Sequence, residues 1–152
     1  MIDTVGTFLL STYTVQYGMK KGGVILNITA NLHHNGTFMQ SHAGTAKAGV
    51  DALTKHLAVE LGPRNIRVVG VSPGAIENTE GFERLSTAQG DEAKKMTTII
   101  PLQRVGRKQD IADCCIFLAT EAASYITGVK IYVDGGIELT APNFPFMTSQ
   151  VV

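Results

Sequence analysis

Gly23-Val24-Ile25-Leu26-Asn27-Ile28-Thr29 is a short, nearly unbroken apolar run rich in β-branched residues. Such a run suits a strand covered on both faces, as inside a parallel sheet. Upstream, residues 4–19 are mostly apolar and end at Lys20-Lys21-Gly22-Gly23, lysines then glycine, which reads as a helix stop. Downstream, residues 30–42 carry Asn31, His33, His34, Asn35 and Gly36 and read as a loop. Residues 44–61 read as a helix, because Ala46, Val50, Leu53, Leu57 and Leu61 recur at helical spacing and make a stripe to bury. Gly62-Pro63 ends it. Ile66-Arg67-Val68-Val69-Gly70-Val71 is the next strand, stopped by Ser72-Pro73-Gly74. Residues 74–108 are long for a loop and are expected to cover a binding site or to hold short helices. Residues 109–123 read as a helix with Ile111, Cys114, Cys115 and Leu118 on one face, and Asp110 opposing the positive end of its dipole. Val129-Lys130-Ile131-Tyr132-Val133 is a last strand, closed by Asp134-Gly135-Gly136, and the tail with Pro142 and Pro145 has no clear period.

Strands alternating with helices imply right-handed crossovers and a parallel sheet with helices on both faces. Ligands in such sheets sit beyond the carboxyl ends of the strands, here after Thr29, Ser72 and Val133. Three strands make a small sheet, whose inner edge is bare unless another segment pairs with it. The chain of 152 residues fits one domain, and 44% hydrophobic against 17% charged residues suffices for a core. Thirteen basic residues balance thirteen acidic ones, which argues against a nucleic-acid or membrane-surface binder. No apolar run reaches the length of a membrane span. The two cysteines are adjacent, so neither a disulfide between them nor a Cys-rich metal site is expected.

Single motifs say little. Ser72-Pro73-Gly74-Ala75-Ile76 leaves a strand end, and Gly74 would let a ligand approach the backbone, yet a plain turn explains it as well. Lys47, Asp51 and Lys55 stand at i, i+4, i+8 and fit a solvated ion-pair row. Asp3 fits a helix N-cap. His33, His34, His42 and His56 show no metal-ligand pattern; at least three read as loop or surface residues, and no metal is expected. Asp134-Gly135-Gly136 reads as a turn, and Pro101-Leu102-Gln103-Arg104-Val105-Gly106 has no chemistry on its own. A glycine-rich phosphate-cradling turn between a strand and a helix is absent.

Taken in order, these segments resemble the second half of a short-chain dehydrogenase/reductase. The resemblance rests on residues 23–29, Ala46-Lys47-Ala48-Gly49-Val50, residues 57–62, and Asn65-Ile66-Arg67-Val68 through Pro73-Gly74-Ala75-Ile76. It continues through residues 101–106, Asp110-Ile111-Ala112, Phe117-Leu118-Ala119, residues 124–128 and Asp134-Gly135-Gly136, and so covers about residues 2–140. The departures are informative. The family's usual Tyr, four residues before its Lys, is Ala43 here; its usual Ser falls near Ala30; and its usual Asn is Asp3. Without a phenol the ordinary acid/base for a carbonyl–alcohol interconversion is missing. One branch of the family resembles this pattern, the peroxisomal 2,4-dienoyl-CoA reductases, through Asp3, His42-Ala43-Gly44-Thr45-Ala46-Lys47 and Thr79-Glu80-Gly81.

The resemblance implies a partial Rossmann-like, doubly wound α/β fold and an NADPH-dependent reductase of dienoyl thioesters in unsaturated fatty acid β-oxidation. It implies that Asp3 and Lys47 are catalytic and hold a proton-delivering water, with Lys47 also on the nicotinamide ribose. Thr29 and the run Pro73, Gly74, Ala75, Ile76, Glu77, Asn78 and Thr79 would line the cofactor. Arg84 would bind the acyl-CoA, a guanidinium suiting phosphate oxygens. It further implies a homo-oligomer built on the two central helices and the last strand, and a peroxisomal location, although Ser149-Gln150-Val151-Val152 is not the usual address and the cytoplasm is the other expectation. Family members carry their phosphate-binding turn in a preceding half. Residues 1–152 are therefore expected to be the C-terminal half of one such domain and, alone, to bind NADPH weakly or not at all. The other expectations are a truncated, non-catalytic oligomerisation partner and a reductase acting on a different enoyl or carbonyl substrate.

Overall fold

The computed structural model describes residues 2–34, 36–37, 39–80, 82 and 97–140. A π-helical turn, Ile2–Gly6, leads into α1, Thr7–Tyr17. Strand β1 is Gly23–Ile28, α2 is Ser41–Leu61 and β2 is Ile66–Pro73. Helix α3 spans Lys108–Ala119, β3 spans Lys130–Val133, and a four-residue helix, α4, spans Ile137–Thr140. The three strands are parallel in the order β1-β2-β3. Gly23 pairs with Ile66 at one end of the first ladder and Ile28 with Val71 at the other, while Gly70–Pro73 pair with Lys130–Val133.

Both faces of β2 are covered, which explains its continuous apolar sequence. Val68 joins Val15, Leu57, Ala58, Leu61 and Ile66 in a cluster beneath α1 and α2. Val69 and Val71 pack on the opposite face with Leu118 and Ala123, supported by Ile111, Cys114 and Cys115 of α3. The three valines have no exposed surface, and burying each is worth about 1.5–3 kcal/mol relative to leaving it in water. Two polar side chains inside are paired: Asn27 donates to the Thr54 hydroxyl (2.9 Å), which donates to the Val50 carbonyl (2.9 Å), tying β1 to α2.

Several boundaries differ from the sequence reading, each for a local reason. The first helix opens with a π turn rather than running uniformly over residues 4–19, and there the Thr4 hydroxyl leaves its own helix to donate to the Ala46 carbonyl of α2 (2.9 Å). Strand β2 continues to Pro73 because β3 pairs with its last four residues. The helix expected to reach residue 123 ends at Ala119, followed by a 3₁₀ turn at Glu121–Ala123. Thr120 is extended there, and the Arg67 guanidinium donates to the freed Leu118 carbonyl (2.8 Å). Asp134 is more than a turn residue: its carboxylate accepts from the Gly136 and Glu138 amides (2.8 and 2.9 Å) and starts α4.

Candidate active site

Two chain segments meet near the carboxyl end of β1. Lys47 stands in the second turn of α2, and its ammonium donates to the Ile28 carbonyl at the end of the strand (3.1 Å). Asp3, on the π turn, brings a carboxylate oxygen to 3.5 Å from the same nitrogen. The close approach of these segments depends on Gly49, where a Cβ would come within 2.6 Å of the Thr4 hydroxyl. An ammonium has three N–H groups. The Ile28 carbonyl and Asp3 engage two directions, and Lys47 is only partly buried, so a third can reach a hydroxyl or a water.

The position four residues before Lys47 is Ala43. The described phenols are engaged or placed otherwise: Tyr13 and Tyr17 stack on each other along α1, Tyr125 is fully exposed, and the Tyr132 hydroxyl lies 3.3 Å from His34.

The run following β2 is braced from outside. Ile76 pairs with Gly106, the Gly106 amide donates to the Ala75 carbonyl (2.8 Å), and the Glu77 amide donates to the Gly106 carbonyl (2.9 Å). The Thr79 hydroxyl donates to the Ile76 carbonyl (2.8 Å), and Asn78 adopts a left-handed conformation. At Gly74 an added Cβ would lie 2.7 Å from Asp134 Cα, so the loop is pressed against the turn after β3. Thus residues 101–106, which carry no chemistry by themselves, hold the loop that Pro73 opens. Arg84 lies outside the described residues.

Thr29 is buried, and its hydroxyl donates to Asp51 (2.5 Å). Asp51 also accepts from Lys130 (2.6 Å) and faces His33 Nε2 (2.9 Å). The row Lys47, Asp51, Lys55 is therefore not the solvated ion-pair row that its spacing suggests: Lys47 turns to Asp3 and Asp51 turns inward to Lys130. Burial, reinforced by the Lys130 charge, holds the His33 imidazole below its ordinary pKa. Asp51, His33 and Lys130 were missed as a group because 79 positions separate Asp51 from Lys130 and the spacing carries no signal. Two adjacent histidines one turn beyond a strand end were the only hint.

The family described as enoyl-(acyl carrier protein) reductase matches residues 1–138. The chain belongs to the short-chain dehydrogenase/reductase family. This short-chain dehydrogenase/reductase chain is 50% identical over 143 residues to a peroxisomal 2,4-dienoyl-CoA reductase, (3E)-enoyl-CoA-producing, of Pongo abelii, an alignment covering 93% of this chain and 49% of that protein. It is 46% identical over 136 residues to the peroxisomal 2,4-dienoyl-CoA reductase of Saccharomyces cerevisiae, covering 90% of this chain and 46% of that one. Among solved structures, a 7α-hydroxysteroid dehydrogenase complexed with NADH and 7-oxo glycochenodeoxycholic acid superposes with a TM-score of 0.80 at 34% identity, covering 88% of this chain and 52% of that one. The chain spans about half the length of the curated relatives it matches.

Proposed function

We propose that the protein carrying this chain is an NADPH-dependent 2,4-dienoyl-CoA reductase. The observation that carries the reading is a carboxylate and an ammonium 3.5 Å apart at a strand end, with alanine where a phenol would serve carbonyl reduction. The names of the relatives at 46–50% identity point the same way. The nicotinamide supplies hydride when bound. Lys47 fits its ribose because the amine keeps an N–H free of Ile28 and Asp3, and Thr29 with the loop from Pro73 to Thr79 flanks the same strand ends. Arg84 is the proposed contact for the coenzyme A portion.

Hydride arriving at C5 of the dienoyl chain pushes two electron pairs toward the thioester, and the charge rests on the thioester oxygen. Protonation at C2 leaves the remaining double bond between C3 and C4, which balances the reaction and accords with the (3E)-enoyl product named for the relatives. Asp3 and Lys47 orient a water that gives this proton and takes one back from the Lys47 ammonium, which solvent reprotonates; general acid catalysis of this kind contributes typically about 10²–10⁴-fold. A purified full-length protein is expected to turn over 2,4-dienoyl-CoA and to leave 3-keto thioesters untouched. Asp3→Ala and Lys47→Ala should each lower dienoyl-CoA turnover by about 10²-fold or more. Full turnover by Lys47→Ala would overturn the assignment.

Exposed apolar residues along α1, with Val59 of α2, and the outer edge of β3, which no described strand pairs with, favour a homo-oligomer built on the two central helices and the last strand. The names of the relatives favour a peroxisomal location. No helix among the described residues is long and apolar enough to cross a membrane.

A further inference from the structure

On the side of α2 facing β3, His33, His34 and Asp51 bring one ligand atom each to within 4.8 Å of one another. They line a cavity of about 660 Å³ together with Lys55, Lys130 and Tyr132. Three features make this group more than a chance surface cluster. Its centre is already a cation position: the Lys130 ammonium lies 2.6 Å from Asp51 Oδ2 and 2.8 Å from His34 Nε2. His34 is set in one tautomer, because Nδ1 donates to Glu138 Oε1 (2.9 Å) and Nε2 must then accept from Lys130. A carboxylate on the far nitrogen is the arrangement that orients metal-bound imidazoles. Finally, His33 brings Nε2 to 2.9 Å from the same Asp51 Oδ2 that holds Lys130, so the three side chains converge on one position.

We propose that His33, His34 and Asp51 form a zinc-binding site, with Lys130 as its built-in competitor. Two imidazoles and one carboxylate are a zinc ligand set, and a fourth position remains for water. Bonds of about 2.0–2.2 Å place tetrahedral ligand atoms about 3.4 Å apart, so the spread of up to 4.8 Å has to close while the 2.9 Å between His33 Nε2 and Asp51 Oδ2 opens. The ligands come from the loop after β1 and from one helix, and the loop can supply that movement. Lysine is a long, flexible chain, and the adjoining cavity receives its ammonium when the metal takes its place. The dication then faces Asp51 directly, and Glu138 continues to hold His34.

The test is a titration of the purified protein with Zn²⁺ against a competing chelator, with Co²⁺ as a visible-absorption probe of tetrahedral coordination. One equivalent per chain is expected. Lys130→Met should bind at least about tenfold more tightly, since it removes the competitor while leaving every ligand. His34→Ala should weaken binding at least about tenfold, and Glu138→Gln should weaken it by about 10–100-fold through the lost orientation of His34. The gain in Lys130→Met cannot come from a misfolded protein. The proposal is overturned if neither the wild type nor Lys130→Met takes up one equivalent, or if Lys130→Met binds no more tightly. It is equally overturned if uptake survives His34→Ala but disappears in a Cys114→Ser/Cys115→Ser variant, which would place the metal on the thiols.

Discussion

Gly49 and Gly74 each stand where one methyl group would collide, the first with Thr4 and the second with the backbone of Asp134. The consequences differ. At Gly49 the obstacle is the end of a side chain on the turn that carries Asp3, so Gly49→Ala should disturb the Asp3–Lys47 distance more than the core. At Gly74 the obstacle is backbone that cannot step aside. Gly74→Ala is therefore expected to cost about 1–3 kcal/mol, seen as a lower denaturation midpoint, and to raise KM for NADPH in the full-length protein. Gly62→Ala is the control. That residue is already right-handed helical with no described atom within 4 Å of the added methyl, and stability should rise by about 0.4–1 kcal/mol. An unchanged KM in Gly74→Ala would separate the loop from the cofactor.

At the scale of elements, α3 shows how a helix start is fixed by charge. Asp110 accepts from the Arg107 amide (2.6 Å) and receives a two-pronged contact from the Arg104 guanidinium (2.7 and 3.0 Å). The Arg104 hydrogen bond, followed by that of the Arg107 backbone, lowers the Asp110 pKa from 3.8 to about 2. A carboxyl depressed on folding stabilises the protein fully above its unfolded pKa and loses that contribution as pH falls through the folded value. Asp110→Asn should therefore lower Tm at pH 6, and the gap to wild type should close between about pH 4 and pH 2. A gap that stays constant through this range would assign the effect to packing instead. The sequence disclosed much at this scale. The run 23–29, the stripe on α2 and the apolar face of α3 were all readable because burial imposes a period on nearby residues. The bracing of Ala75 and Glu77 by Gly106 was not readable, since two short irregular segments about 30 positions apart leave no period. The same holds for the cluster around Asp51, where only the folded chain brings β3 beside α2. The pairing of Asp3 with Lys47 came into view through a departure from a family pattern rather than through spacing.

For the molecule as a whole, the distribution of apolar surface is uneven. Leu10, Tyr13 and Tyr17 lie on one side of α1 and are 70%, 56% and 69% exposed, which identifies a face awaiting cover. If the central helices join subunits, Leu10→Lys should shift the full-length protein toward smaller species in light scattering while its secondary structure stays intact. Unchanged mass would mean that α1 is covered within the chain or not at all. The groove of about 360 Å³ beside it runs along β1, where Leu10, Ser11 and Thr14 face Val24 to Ile28. No described strand pairs with this side of β1, and relatives twice as long have residues to spare for it.

Strand β2 has a consequence of its own. Val68 and Val69 are the same residue pointing into different layers, so side-chain identity gives no preference for one layer over the other. At these two positions the strand could be threaded one step out of phase without offending either interior. What forbids the slip are polar anchors along it: the Gly23 amide on the Asn65 carbonyl, the Val68 amide on the Thr127 hydroxyl, and the Arg67 guanidinium on the end of α3. The alignment of the whole layer is thus spelled out by a handful of polar groups, and an apolar exchange at Thr127 would reach every residue that the strand delivers to its far end.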